Sequence, residues 1–244
     1  MKISRRQMLA STALAGLFSP FASVLSQQKA APWRNWSGGQ VCYPSGRFSP
    51  ASETELQDFL RRTSGEIRPV GSGHSFSALV PTDGHLIVID QLSGLLDHDA
   101  QTLQATFGAG TRLGDMGEPL ARIGQAMLNL PDIDRQTLAG ATATATHGTG
   151  IAFTCLSGFV TSLRLVTPDG DVIDTSPTSN SDLFDAARVS LGALGIVTQM
   201  TLQNRAPYKL KARNWVQPIE EVLDTVDESA ANHRHFEMFP LTHS

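Results

Sequence analysis

Between Ile67 and Ser77 the chain reads Ile-Arg-Pro-Val-Gly-Ser-Gly-His-Ser-Phe-Ser, a short apolar-leaning stretch that runs straight into a glycine loop carrying an imidazole. Ile67 to Val70 reads as a strand. Gly71 and Gly73 then let the chain turn through positive φ, where a Cβ would cost roughly 1–2 kcal/mol. Without side chains, the N–H groups of such a loop can converge on an anion such as a pyrophosphate. Ser72, Ser75 and Ser77 add hydroxyl donors. A second run, Leu138 to Gly150, repeats the chemistry with small residues for close approach, threonines as donors and a second histidine, His147. One glycine loop is weak evidence, because ordinary turns use the same residues. Two of them, each with a histidine and about 70 residues apart, point to a nucleotide-like ligand.

Of the 244 residues, 41% are hydrophobic and 17% charged, enough for one sizeable core or for two lobes. A net charge of −4 gives no electrostatic reason to expect nucleic acid or an anionic membrane as partner. Cys42 and Cys155 are open to two readings, a disulfide or two unpaired structural thiols, because their separation in sequence says nothing about distance. His85, His98, His233, His235 and His243 offer no third ligand to the pair His233-x-His235, so no metal site is expected.

The first 26 residues read as a targeting segment. Ser4-Arg5-Arg6-Gln7-Met8-Leu9 is a twin-arginine pattern ahead of a mildly apolar run to Leu25, interrupted by Gly16 and Pro20. The alternative is a basic start on a Sec signal. Cleavage is expected after Ser26, and residues 27–37 form a polar lead-in.

Ser52-Glu53-Thr54-Glu55 is a capping box, and Leu56, Phe59 and Leu60 give the helix that follows one apolar face, with Gly65 as its stop. His85 to Asp90 and Leu103 to Phe107 read as strands. Thr111 to Ile123 is expected to be one helix with a hydroxyl cap, closing at Gly124. Gly158 to Val166 and Asp171 to Asp174 are strands about the turn Thr167-Pro168-Asp169-Gly170. A short helix starts at Ser181, and Ile196 to Leu202 is a further strand. Beyond Pro207 the pattern changes: Ile219 to Val226 looks helical and Phe236 to Pro240 looks like a strand. Short helices interleaved with many strands argue α+β.

The runs Val70–Ser77 and Leu138–Gly150, with Asn35-Trp36-Ser37-Gly38 upstream and Leu191-Gly192-Ala193-Leu194-Gly195-Ile196-Val197 downstream, resemble the flavin domain of the vanillyl-alcohol oxidase family. The most similar branch is that of the sugar 1,4-lactone oxidases, of the D-arabinono- and L-gulonolactone kind, and the alditol oxidases. The resemblance implies a two-lobed FAD-binding domain over residues 38–207, followed at 208–244 by the start of a truncated substrate domain. It places FAD contacts on Val70, Gly71, Ser72, Gly73, His74, Ser75 and Phe76. A second set is Thr137, Gly140, Ala141, Thr144, Thr146, His147, Gly148 and Gly150, and a third is Ile196 and Val197, beside Gly192 and Gly195, at the adenine.

His74 falls where the resembled oxidases bond a histidine to the 8α-methyl of the flavin. Imidazole is neutral often enough near pH 7 to attack such a carbon. The alternative is a loop histidine that only hydrogen-bonds the cofactor. His147 would order the loop beside the flavin ring or transfer a proton. Ala145 stands where the family more often has glycine, and positive φ there would be disfavoured.

The implied activity is oxidation of CH–OH groups in sugar lactones or polyols, with electrons passed through FAD to O2 or another acceptor. No catalytic base is named, because in the resembled enzymes it comes mainly from the C-terminal domain. The alternatives are a flavin-binding fragment without turnover and a reductase of the same fold that holds FAD noncovalently. Export of the folded, flavin-loaded protein by the twin-arginine machinery to the periplasm completes the expectation.

Overall fold

The computed structural model describes residues 31–241, so the targeting segment and residues 27–30 of the lead-in lie outside the described residues. Within the rest of the lead-in, Trp33 and Arg34 form a short strand. Strand β1 (Trp33–Arg34) pairs antiparallel with β2 (Val41–Cys42), Trp33 opposite Cys42.

The chain next builds a small parallel sheet. Its members are β3 (Gly46–Phe48), β4 (Ile67–Val70) and, between them, β5 (His85–Val88), with helix α1 (Glu53–Arg62) connecting β3 to β4. The capping box forms as the sequence predicts: the Ser52 hydroxyl accepts from the Glu55 N–H at 3.2 Å, and the Glu55 carboxylate accepts from the Ala51 N–H at 2.9 Å. The apolar face of α1 places Leu56 and Leu60 against Ile87, Ile89, Val166 and Ile196. Gly65, at φ +95°, follows the helix.

An antiparallel sheet follows, made of β6 (Leu95–Asp99), β7 (Gln104–Gly108), β8 (Ala126–Met127), β9 (Val160–Val166), β10 (Val172–Thr175) and β11 (Ile196–Arg205), with helices α2 (Gly117–Arg122), α3 (Leu138–Ala143) and α4 (Ser181–Ala187) in its connections. The strand order is β10-β9-β11-β7-β6, and β8 pairs the far end of β11. β11 alternates strictly along its length: Ile196, Thr198, Met200, Leu202 and Asn204 are buried, and the residues between them are half-buried. Its inner face joins a core of Phe107, Leu113, Met116, Leu120, Leu138, Leu163 and Phe184. The outer face is a hydroxyl ladder in which Thr201 meets Thr106 and Ser162, each at 2.8 Å. Arg164 of β9 clasps Asp174 of β10 at 2.7 and 2.8 Å, and this pairing holds the Asp174 carboxyl below its usual range.

Five expectations need correction. Thr111 to Ile123 is not one helix: a single turn at Leu113–Asp115 precedes α2, because Gly114 and Gly117 interrupt the run and Pro119 belongs in the first turn of a new helix. The Thr111 hydroxyl does not cap it but donates to the Gly108 carbonyl at 2.6 Å. The strand expected at Leu103 starts one residue later, since Leu103 itself has φ +54°. Residues 234–241 form no strand, having no ladder partner among the described residues, while α5 (Ile219–Asn232) runs longer than the pattern to Val226 predicts. Both cysteines are free, Cys42 buried and Cys155 half-buried. The Ser157 hydroxyl, 3.0 Å from the Cys155 sulfur, draws that thiol below its usual value.

Candidate functional site

The carboxyl end of β4, the first turn of α3 and the loop before β11 meet around an open groove. Its lining combines backbone of the glycine loop with apolar side chains such as Val70, Ile89, Val197 and Met200.

The loop after β4 uses its two glycines for different reasons. Gly73 has φ +69°, the left-handed conformation that favours glycine. Gly71 does not turn through positive φ, contrary to the sequence reading. It is glycine because a Cβ there would collide with the Thr137 hydroxyl and sit 3.6 Å from the Gly140 Cα. The Ser72 hydroxyl donates to the Arg135 carbonyl at 2.6 Å, a second tie between the two loops, and the Arg68 guanidinium donates to the Leu79 carbonyl. The N–H groups of Ser72 to Phe76 donate to no protein acceptor among the described residues. Five consecutive backbone donors therefore remain for a ligand.

The Leu138–Gly150 run is not a second copy of that loop. Its first half is α3, capped by Thr137, whose hydroxyl accepts from the Gly140 N–H at 3.2 Å. The N–H groups of Leu138 and Ala139 donate to the carbonyls of Thr111 and Ala109, at 2.7 and 3.0 Å. The helix start thus has its donors satisfied internally and offers close approach instead. Thr142 and Thr144 turn their hydroxyls back to helix carbonyls, those of Leu138 and Gly140.

The third wall is a tight turn in which Ala193 N–H donates to Ser190 carbonyl at 2.9 Å while Leu191 and Gly192 both have positive φ. Two successive positive φ values mark a type I′ turn, and a leucine in it is strained. A Cβ on Gly192 would press on the Pro69 ring at 2.6 Å, so this turn packs directly on the end of β4.

Eleven sequence-predicted residues line the groove: Val70, Gly71, Ser72, Gly73, His74, Ser75, Thr137, Gly140, Thr144, Ile196 and Val197. Six lie off it. Ala141 is fully buried in the core behind α3, and Phe76 is 71% exposed with its edge toward Trp36. The Thr146 hydroxyl accepts from the Gln136 amide at 3.0 Å. His147 is exposed, its Nδ1 3.0 Å from the Gly148 carbonyl. Gly148 lies against the Leu130 backbone, and Gly150, at φ +102°, against the Arg234 carbonyl and Phe153. Ala145 has φ +54°, so the position expected to disfavour alanine adopts that conformation nonetheless. Sequence reasoning missed Gln136, Ala139, Ala143 and Ser190 as lining residues. Their proximity to the groove comes from the packing of α3 and the type I′ turn, and no local motif signals it.

Two substitutions separate these backbone effects. Gly71→Ala is expected to lower stability by about 1–3 kcal/mol through overpacking against Thr137. Ala145→Gly is expected to raise it by up to about 1 kcal/mol, because relief of the left-handed strain outweighs the added chain entropy. Thermal unfolding of both variants checks the signs, and an unchanged midpoint in either contradicts this reading of its backbone.

Residues 44–176 match the model of the FAD binding domain family. Over 210 residues the chain is 43% identical to an L-gulono-1,4-lactone dehydrogenase of Mycobacterium tuberculosis, covering 85% of this chain and 48% of that protein. An L-gulonolactone oxidase of Bos taurus is 32% identical over 219 residues, with 88% and 50% covered. A D-arabinono-1,4-lactone oxidase of Yarrowia lipolytica is 34% identical over 197 residues, with 78% and 38% covered. The chain spans about half the length, or less, of these curated relatives. With more than half of its residues matched, it belongs to the FAD binding domain family.

Proposed function

We propose that the groove is the FAD site of a sugar lactone oxidoreductase built on the two-lobed vanillyl-alcohol oxidase plan, one lobe on each sheet. The residues present fit the cofactor. Four free N–H groups of groove-lining residues, Ser72 to Ser75, supply the donors a pyrophosphate needs. Gly71 and Gly140 let the glycine loop pack directly on the start of α3, since a Cβ at either would press on the Thr137 hydroxyl. Ile196 and Val197 would meet the adenine, and Val70, Ile89 and Met200 supply apolar contact. The row of free donors is the observation that carries the reading.

His74 stands at the groove with its neighbours' carbonyls already bonded, and it would join the flavin covalently. Bound flavin supplies a two-electron acceptor for the C–H of a CH–OH group. The protein's own part is to orient that acceptor and exclude competing chemistry. The names of the relatives support a sugar lactone such as L-gulono-1,4-lactone as donor, a polyol being the wider class, and O2 or another acceptor for the electrons.

The test has two readouts on the purified protein. Acid-precipitated polypeptide should retain yellow, flavin-derived fluorescence, and His74→Ala should release all of it. In a chain extended to the full length of the relatives, anaerobic addition of L-gulono-1,4-lactone should bleach the flavin absorbance, whereas the 244-residue chain alone should leave it unreduced. Protein that takes up no FAD sinks the site assignment; bound flavin that no sugar lactone or alditol reduces sinks the substrate class.

Export through the twin-arginine route to the periplasm is part of the same proposal, supported by Arg5 and Arg6 ahead of a mildly apolar run. Loading FAD before export would stabilise the folded state by mass action. Replacing both arginines by lysine should leave flavin-loaded precursor in the cytoplasm. Normal processing of that variant would show a Sec signal instead.

A further inference from the structure

We propose that Trp36, delivered by the turn between β1 and β2, is the positioning residue that orients the His74 imidazole for its bond to flavin; this rests on the covalent reading above. The turn grips the histidine loop at three successive points. The Trp36 N–H donates to the Gly73 carbonyl at 2.8 Å, the Asn35 side-chain amide to the Ser75 carbonyl at 3.0 Å, and the Gln40 side-chain amide to the Phe76 carbonyl at 3.1 Å. Asn35 is buried, and its carbonyl oxygen accepts from the Gln40 N–H at 2.9 Å, so the turn is itself braced. Gly73 lies so close to β1 that a Cβ would come within 3.2 Å of the Trp33 ring.

These bonds occupy loop carbonyls and leave the loop N–H groups for the cofactor. They also fix where the Trp36 side chain sits. The indole stacks on the His74 ring, with centroids 5.4 Å apart and planes 22° apart, and meets the edge of Phe76 at 6.1 Å and 88°. Such a stack favours one imidazole orientation over the others by about several-fold. Trp36 remains 67% exposed, so burial does not explain its place. Of its two ring partners among the described residues, the stacked one is the residue that must attack.

The bond formed joins a His74 ring nitrogen to the 8α carbon of the flavin. One methyl hydrogen and the imidazole N–H hydrogen leave as protons. Two electrons pass through the flavin to dioxygen, which becomes hydrogen peroxide. The reaction needs the nitrogen held close to that carbon and aligned with it, a requirement that preorganisation meets and a freely rotating ring does not.

The experiment uses the whole protein made in riboflavin-starved cells, mixed with FAD in air. Two quantities are followed: FAD bound under native conditions, and FAD that survives acid precipitation as a function of time. Trp36→Ala should still take up FAD but bond it at least about tenfold more slowly, while Trp36→Phe should restore most of the rate. Trp36→Leu keeps apolar bulk without a ring, and it carries the test if Trp36→Ala fails to bind FAD; it too should be slow. Covalent bonding by Trp36→Leu at the wild-type rate overturns the role of Trp36 and leaves the covalent reading standing. Complete release of FAD from acid-treated wild-type protein overturns both.

Discussion

The approach of Gly71 to Thr137 is the constraint on which the rest of the site depends. It brings the end of a parallel strand against the capped start of α3, and no side chain larger than hydrogen fits at Gly71. Once the two segments touch, Ser72 reaches the Arg135 carbonyl and the β1–β2 turn takes the carbonyls of the histidine loop. What remains unbonded is a row of N–H groups, those of Ser72 to Ser75 belonging to residues that line a groove with apolar walls. An anion-binding surface arises here because acceptors are used up locally and donors are not. The same logic explains why α3 contributes contact rather than donors: Thr111 and Ala109 have already taken its first N–H groups.

Two of the four non-glycine residues with positive φ among the described residues flank the segments that build the groove. Leu191 and Ala145 both adopt positive φ, one in the turn against Pro69 and the other just after α3. Non-glycine residues in that conformation persist where surrounding contacts over-determine them. Leu156 N–H bonds the Thr146 carbonyl at 2.8 Å and Thr146 N–H bonds the Ala141 carbonyl at 3.0 Å, which locks the backbone around Ala145. The reactive loop, in contrast, takes its left-handed step at glycine.

Much of the fold is legible in local signals. The capping box at Ser52, the Thr167–Gly170 turn and the start of β11 at Ile196 each rest on short-range physics, and each forms where the sequence places it, β11 running three residues beyond the expected Leu202. The strand carrying Val70 and the role of Gly73 are legible for the same reason. Gly71 was readable as a required glycine but not for the right cause, since close approach to Thr137 involves a residue 66 positions away. Helix α3 was hidden because its alanines, threonine and glycine have no helical periodicity, and its stability comes from Thr137 and from the carbonyls of a neighbouring segment. Gln136 and Ser190 reach the groove by tertiary packing alone. The grip of Asn35 and Gln40 on the histidine loop likewise joins segments about 36–40 residues apart.

The most direct test of this account is amide hydrogen exchange in the His74→Ala protein, which is expected to bind FAD only noncovalently, recorded with and without the cofactor. Free N–H groups exchange readily and ligand-bonded ones are protected. The account predicts that adding FAD slows exchange across residues 72–76 while Leu138 and Ala139, already bonded to protein carbonyls, change little. Unaltered exchange in the glycine loop with FAD bound, or protection confined to the start of α3, would contradict it.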